Sequence, residues 1–271
     1  MSVLYIVPPV IGVLTGSGSY ALPGFEGAAP SVVATRWGEA LVSVGRWAGV
    51  EIAHVSRHGV GHPRLSNHVD HRSNIAALQE LGVTCVFAVT VCGAVDPDAT
   101  LGSLVCFDDL HFLSNRLPDG SLCTFFDTPG AADRGHWIYA DPFSAGVRRA
   151  VLSGAAAAGV PVRDGGCYGH VDGPRFNTRA EIRGLAAAGV YAVSQTAGPE
   201  TVLCGEAELP YALLGFLTDY ANGVQAEPTP VSVLEEMMTV SGSAFASVLR
   251  AALPLAADVA PPGVVYRFPE N

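Results

Sequence analysis

The sequence predicts an α/β fold of three layers, αβα, with a central mixed and largely parallel sheet. Two observations lead there. Short apolar β-type runs alternate along the chain with helical patterns, and several of those runs are continuously apolar, as strands covered on both faces are. The chain is also long enough, at 271 residues with 49% apolar side chains, to close a sizeable core as one domain over 1–271.

The strand-like runs fall at 11–14, 40–44, 51–56, 85–91, 103–107, 190–194 and 211–218. A helix is predicted over 70–81, stopping at Gly82. Another is capped by Thr178 with Glu181 three residues on and stops at Gly189. A third opens at Pro199 as its first helical residue, and a last one covers 231–252 before Pro254. The Gly-, Pro- and Asp-rich stretch 117–134 reads as the longest loop, and no segment reads as a linker or repeat. In such a fold, ligands gather at the carboxyl ends of the strands.

Composition excludes several functions. All fifteen basic residues are Arg, so mechanisms that need a Schiff-base or P-loop lysine are ruled out. A formal charge of -10 argues against a nucleic acid or an anionic membrane as partner, and a small anion would need a local site. Six cysteines without CxxC spacing fit a reducing cytoplasm. The apolar stretch 3–14 lacks a basic start, contains Pro8-Pro9 and is too short to span a bilayer, so no targeting signal is read there.

Three segments carry chemistry. The first strand runs into Thr15-Gly16-Ser17-Gly18-Ser19, whose small residues allow backbone N–H groups and hydroxyls to converge on an anion, although the spacing is neither GxGxxG nor a P-loop and a plain turn is the alternative. Arg57-His58-Gly59-Val60-Gly61-His62 follows a strand, and Asn67-His68-Val69-Asp70-His71-Arg72 enters a helix. An Arg at a strand end can grip phosphate with two parallel hydrogen bonds, whereas the His spacing matches no helical zinc motif. Asp219 ends an apolar strand, where an unpaired carboxylate is costly unless it has a task. Phe176 and Cys92, taken alone, read as core, and Asp172-Gly173-Pro174 as a turn.

Seven ordered blocks, which take in these segments, resemble the trimeric purine nucleoside phosphorylases, and within them the methylthioadenosine phosphorylase branch. The blocks are residues 12–18, Arg57-His58-Gly59 with His62 and Asn74-Ile75, Thr90-Val91-Cys92-Gly93, His136 with Asp141-Pro142-Phe143, Asp172-Gly173-Pro174-Arg175-Phe176, Thr196 with Pro199-Glu200, and Thr218-Asp219-Tyr220. The resemblance implies phosphate held by Ser17, Arg57, His58, Thr90, Val91 and Thr196. It implies a purine stacked on Phe176 beside Cys92 and Gly93, with Asp219 as the acid at N7. His136 would reach a neighbouring subunit's ribose in a homotrimer, and Val231 and Val233 would line an apolar 5′ pocket. No metal or organic cofactor is expected, inorganic phosphate being the co-substrate. Three positions depart from the family pattern: Gln195 where a Met adjoins the ribose, Ala221 for the second Asp of Asp-x-Asp, and Asn177 for a Ser or Thr. The expected activity is phosphorolysis of a 5′-modified adenine nucleoside. The alternatives are a phosphorylase of altered base choice, acting on 6-oxopurine or unusual nucleosides, and a catalytically silent nucleoside-binding protein.

Overall fold

The computed structural model describes residues 10–20, 22, 25–27, 29–256 and 259–269. Residues 3–9 of the apolar N-terminal stretch and Ala21 lie outside them. The strands are β1 (Val10–Thr15), β2 (Glu26–Gly27), β3 (Ser31–Thr35), β4 (Gly38–Trp47), β5 (Val50–Ser56), β6 (Val83–Ala94), β7 (Leu104–Cys106), β8 (Asp109–His111), β9 (Gly135–Ile138), β10 (Val162–Asp164), β11 (Cys167–His170), β12 (Val190–Ser194), β13 (Tyr211–Tyr220) and β14 (Val264–Arg267). The helices are α1 (His71–Glu80), α2 (Ala145–Ala158), α3 (Arg179–Ala187), α4 (Ala197–Glu206) and α5 (Val231–Ala252).

Among the described residues, twelve strands form one sheet whose main path is β10-β7-β13-β6-β1-β5-β4-β2, and β9 pairs with β14 apart from it. At its centre β5, β1, β6 and β13 run parallel, while β4, β7 and β12 join antiparallel, which makes the sheet mixed as expected. The central strands are buried on both faces. In β13 only Tyr220 escapes full burial, and this explains why its sequence reads as an unbroken apolar run.

One apolar layer gathers Leu14, Ile75, Leu78, Val86 and Leu203 between the sheet and α1 and α4, and the other packs Phe87, Val151, Phe216, Phe245 and Leu249 between the sheet and α2 and α5. The two longest helices meet closely because position 154 has no side chain: a Cβ on Gly154 would lie 2.5 Å from the Ala252 nitrogen. Helix α5 has the length and apolarity of a membrane span, but its stripe of Phe245, Ala246, Val248, Leu249 and Ala252 is spent on this core.

Local signals behave as the chemistry requires. Thr178 and Glu181 form the reciprocal capping box that starts α3. Helix α4 begins at Ala197, two residues before the expected Pro199, because a proline in the first turn forfeits no intrahelical bond. Helix α2, absent from the sequence-based expectation, is capped by the Ser144 side chain and closed by Gly159 at φ 67°. Residues 117–134 form the expected loop, apart from a single bridge between Arg116 and Leu122.

Candidate active site

A cavity of about 260 Å³ opens at the carboxyl ends of the central strands. Gly16 and Ser17 follow β1, His58 follows β5, and Thr90, Val91, Cys92 and Gly93 form the last part of β6. Gln195 and Thr196 follow β12, and Asp219 ends β13. The strand ends thus bring together segments distant in sequence.

One end of the cavity is rich in hydroxyls. The turn after β1 is fixed by Ser19 N–H donating to the Gly16 carbonyl at 3.1 Å. It must be made of glycine, since Gly18 has φ 76° and a Cβ there would fall 2.5 Å from the Met238 carbonyl of α5. Thr90 Oγ1 lies 3.1 Å from Ser194 Oγ. Thr196 stands at the N-cap of α4 without a side-chain capping bond. His58 Nδ1 donates to the Arg64 carbonyl at 2.8 Å, which leaves Nε2 for the cavity side near Gly16. Burial is the main reason that its pKa falls to about 4. The His58 ring stacks on His62 at 4.1 Å between centroids, and Tyr20 bonds His62 Nδ1 at 2.9 Å.

Arg57 departs from the expected arrangement. It does not line the cavity, and its side chain is fully buried beneath it. Its Nε pairs with Glu200 Oε1, Nη2 donates to Glu200 Oε2 at 2.7 Å, and Nη1 donates to the Val89 carbonyl at 2.7 Å. A guanidinium this deep needs a counter-charge, and its Nε–Nη2 edge is turned onto a carboxylate. Burial alone would lower its pKa, but the Glu200 carboxylate offsets this and leaves it above the ordinary value.

The other end of the cavity is built around Asp219. A β-bulge between Leu217 and Asp219 places Asp219, rather than Thr218, opposite Gly93 of β6. Thr218 Oγ1 donates to Asp219 Oδ1 at 2.7 Å, and Oδ2 lies over Gly93, where a Cβ would be 3.4 Å away. Burial raises the carboxyl pKa above its usual range despite the Thr218 hydrogen bond. Cys92 is buried, and desolvation pushes its thiol up, so it remains a neutral packing group.

Phe176 and Asn177 border the cavity, and Phe176 is 60% exposed at its mouth. Asn222 Nδ2 donates to the Asn177 carbonyl at 2.7 Å, and Ala221 lies alongside. Gln195 ties the wall together, accepting from Ser66 Oγ at 2.8 Å and donating to the Arg175 carbonyl at 3.1 Å. Gly173 allows this closeness, since a Cβ there would meet Gln195 Oε1 at 2.1 Å.

Three expected residues lie elsewhere. Val231 and Val233 do not line the cavity, and Val231 is 68% exposed; α5 instead presents Leu234 and Met238, four residues apart on one helical face. His136 is exposed on β9 against Phe268, away from the cavity of its own chain. The sequence reading missed Ser66, Ser194 and Asn222 at the wall, and it named Glu200, which lies beneath, within a family block without giving it a role. Glu200 did leave a signal, as a carboxylate among the mainly small and apolar residues that precede Glu206 in α4.

The cavity thus joins a set of hydroxyls to a buried carboxyl at the ends of the strands. A family model described as the phosphorylase superfamily matches residues 10–254, and the chain belongs to that superfamily. The 6-oxopurine nucleoside phosphorylase of Pyrococcus furiosus is 32% identical over 251 residues, covering 91% of this chain and 93% of that one. The S-methyl-5′-thioadenosine phosphorylase of Mycolicibacterium smegmatis is 38% identical over 219 residues, covering 80% of this chain and 79% of that one. Among solved structures, methylthioadenosine phosphorylase from Schistosoma mansoni in complex with tubercidin matches with a TM-score of 0.82 at 25% identity over 91% of each chain.

Proposed function

We propose that the protein is a pentosyltransferase that splits purine nucleosides with inorganic phosphate, and that its best substrate is a 5′-modified adenine nucleoside such as methylthioadenosine. The observation that carries this reading is Asp219, a buried carboxyl with a raised pKa in the same cavity as a cluster of hydroxyls. Glycosidic cleavage builds positive charge on the ribose and negative charge on the departing base. A phosphate oxygen bound among Ser17, Thr90, Val91, Thr196 and His58 attacks the anomeric carbon as the bond to N9 breaks. Protonated Asp219 gives its proton to N7, and its second oxygen accepts from the 6-amino group. The products are free base and pentose 1-phosphate. Leu234 and Met238 supply the apolar contact first expected of Val231 and Val233.

The same reading takes phosphate as co-substrate, with no metal or organic cofactor. It places the enzyme in the cytoplasm as a homotrimer, in which the exposed His136 reaches a neighbour's ribose. A second reading, preference for a 6-oxopurine, is favoured by the loss of a carboxylate at Ala221 and by the amides of Asn177 and Asn222 at the wall. The test is a nucleoside panel incubated with and without phosphate and with a chelator, then chromatographed for base and pentose 1-phosphate. Phosphate-dependent, chelator-resistant release from methylthioadenosine is expected. Equal release without phosphate refutes phosphorolysis, and no release from any nucleoside points to a silent binding protein. Sedimentation should give a trimer, and a fully active monomer contradicts the role of His136.

A further inference from the structure

The polar cluster beneath the cavity has no part in the chemistry just described. Glu200 is 1% exposed on α4 and makes two hydrogen bonds to the Arg57 guanidinium. It accepts a third from the Tyr211 hydroxyl at 3.2 Å. His71 is also fully buried, with Nδ1 3.8 Å from Glu200 Oε1 and neither ring nitrogen hydrogen-bonded among the described residues. Desolvation, with Arg57 nearby, lowers its pKa to about 3, so it is neutral and does not compete with Arg57 for the carboxylate.

The guanidinium is thereby fixed at one point. Nη1 donates to the Val89 carbonyl, next to Thr90, and lies 3.1 Å from where a Cβ on Gly16 would stand. It therefore sits under the junction of the two segments, 16–17 and 90–91, that bound the hydroxyl-rich end of the cavity. Three of its five N–H groups are committed to Glu200 and Val89, and one remains on each terminal nitrogen.

We propose that Glu200 is a positioning residue for the phosphate co-substrate, holding the Arg57 fork so that its two remaining N–H groups serve the anion from below. The proposal rests on the phosphorolysis reading above. It differs in sign from a simple counter-charge. Were Glu200 only a neutralising charge, removing that charge would leave Arg57 with an unbalanced positive charge and tighten anion binding. As a positioning residue, its replacement by Gln sets an amide N–H against a guanidinium N–H, turns the fork and weakens anion binding.

The experiment measures KM for phosphate and for nucleoside, with melting temperatures, in the wild type, Glu200→Gln and Tyr211→Phe. Tyr211→Phe keeps the buried ring and removes only the hydroxyl on Glu200, so it reports even if Glu200→Gln fails to fold. The expected result is a tenfold or larger rise in phosphate KM for Glu200→Gln and about a threefold rise for Tyr211→Phe, with nucleoside KM within twofold. A lowered phosphate KM in Glu200→Gln, or both KM values changing equally, overturns the positioning role. If the wild type releases base equally well without phosphate, the phosphorolysis reading falls, and this proposal with it.

Discussion

Replacing Asp219 by Asn separates proton delivery from shape. The amide has the same outline, its Oδ1 can still accept from the Thr218 hydroxyl 2.7 Å away, and its Nδ2 replaces Oδ2 over Gly93. What it cannot do is hand a proton to N7. Proton transfer from a positioned side chain contributes about 100- to 10,000-fold, so kcat on methylthioadenosine should drop by about 3–5 kcal/mol of barrier at nearly constant nucleoside KM. Stability should move the other way. Because the folded pKa of Asp219 is raised, the native state holds that proton more tightly than the unfolded chain, and the carboxyl loses stability for the fold as pH rises through its range. An uncharged Asn escapes that loss, so the melting temperature at neutral pH should hold or rise. The wild-type rate should also decline on the alkaline side as Asp219 ionises, and the variant should lack that limb. Steady-state kinetics against pH, with thermal unfolding of both proteins, provides the check. A variant within threefold of wild-type kcat would refute the acid role, and a destabilised variant would refute the account of its burial.

Four other outcomes are expected. Ala221→Asp should widen the preference for methylthioadenosine over methylthioinosine by about tenfold or more, since a hydrogen bond to a charged group contributes about 1.5–3 kcal/mol; the ratio of kcat/KM values checks this. Gly18→Ala forces a side chain into φ 76° and against the Met238 carbonyl, so the melting temperature should fall and phosphate KM should rise together. Thr178→Ala removes half of the capping box on α3 and should cost about 1 kcal/mol in denaturant unfolding, with a raised nucleoside KM because Phe176 and Asn177 lead into that helix. Stability should fall as pH drops from about 6.5 towards 4. His54, His58, His71 and His170 have folded pKa values of about 4, 4, 3 and 3, so the unfolded chain takes up protons that the native state refuses. Each contributes a slope of up to about 1.4 kcal/mol per pH unit, and a flat urea-unfolding profile over that range would contradict it.

Much of the fold could be read locally. The seven apolar runs are all strands, and α5 occupies the expected 231–252, because a strand buried on both faces and a long amphipathic helix each leave a periodic mark on neighbouring residues. The capping box at Thr178 was equally legible, being a bond between residues three apart. Helix α2 was not. Its run of Ala and Gly offers little hydrophobic contrast in sequence, although Val147, Ala150, Val151 and Ala155 are buried at helical spacing, and Gly154 packs closely on α5, more than ninety residues away.

The site divides in the same way. The sequence by itself determined which residue types are available: a glycine turn after β1, an Arg-His pair after β5, and a carboxylate at the end of β13. Tertiary structure decided what each of them faces. The bulge at Thr218 turns Asp219 onto Gly93, the helical phase of α5 presents Leu234 and Met238 in place of Val231 and Val233, and Glu200 draws the Arg57 fork beneath the cavity wall. Each outcome depends on a partner far along the chain. Residue type is a property of one position, whereas orientation, desolvation and counter-charge belong to pairs that only folding brings together.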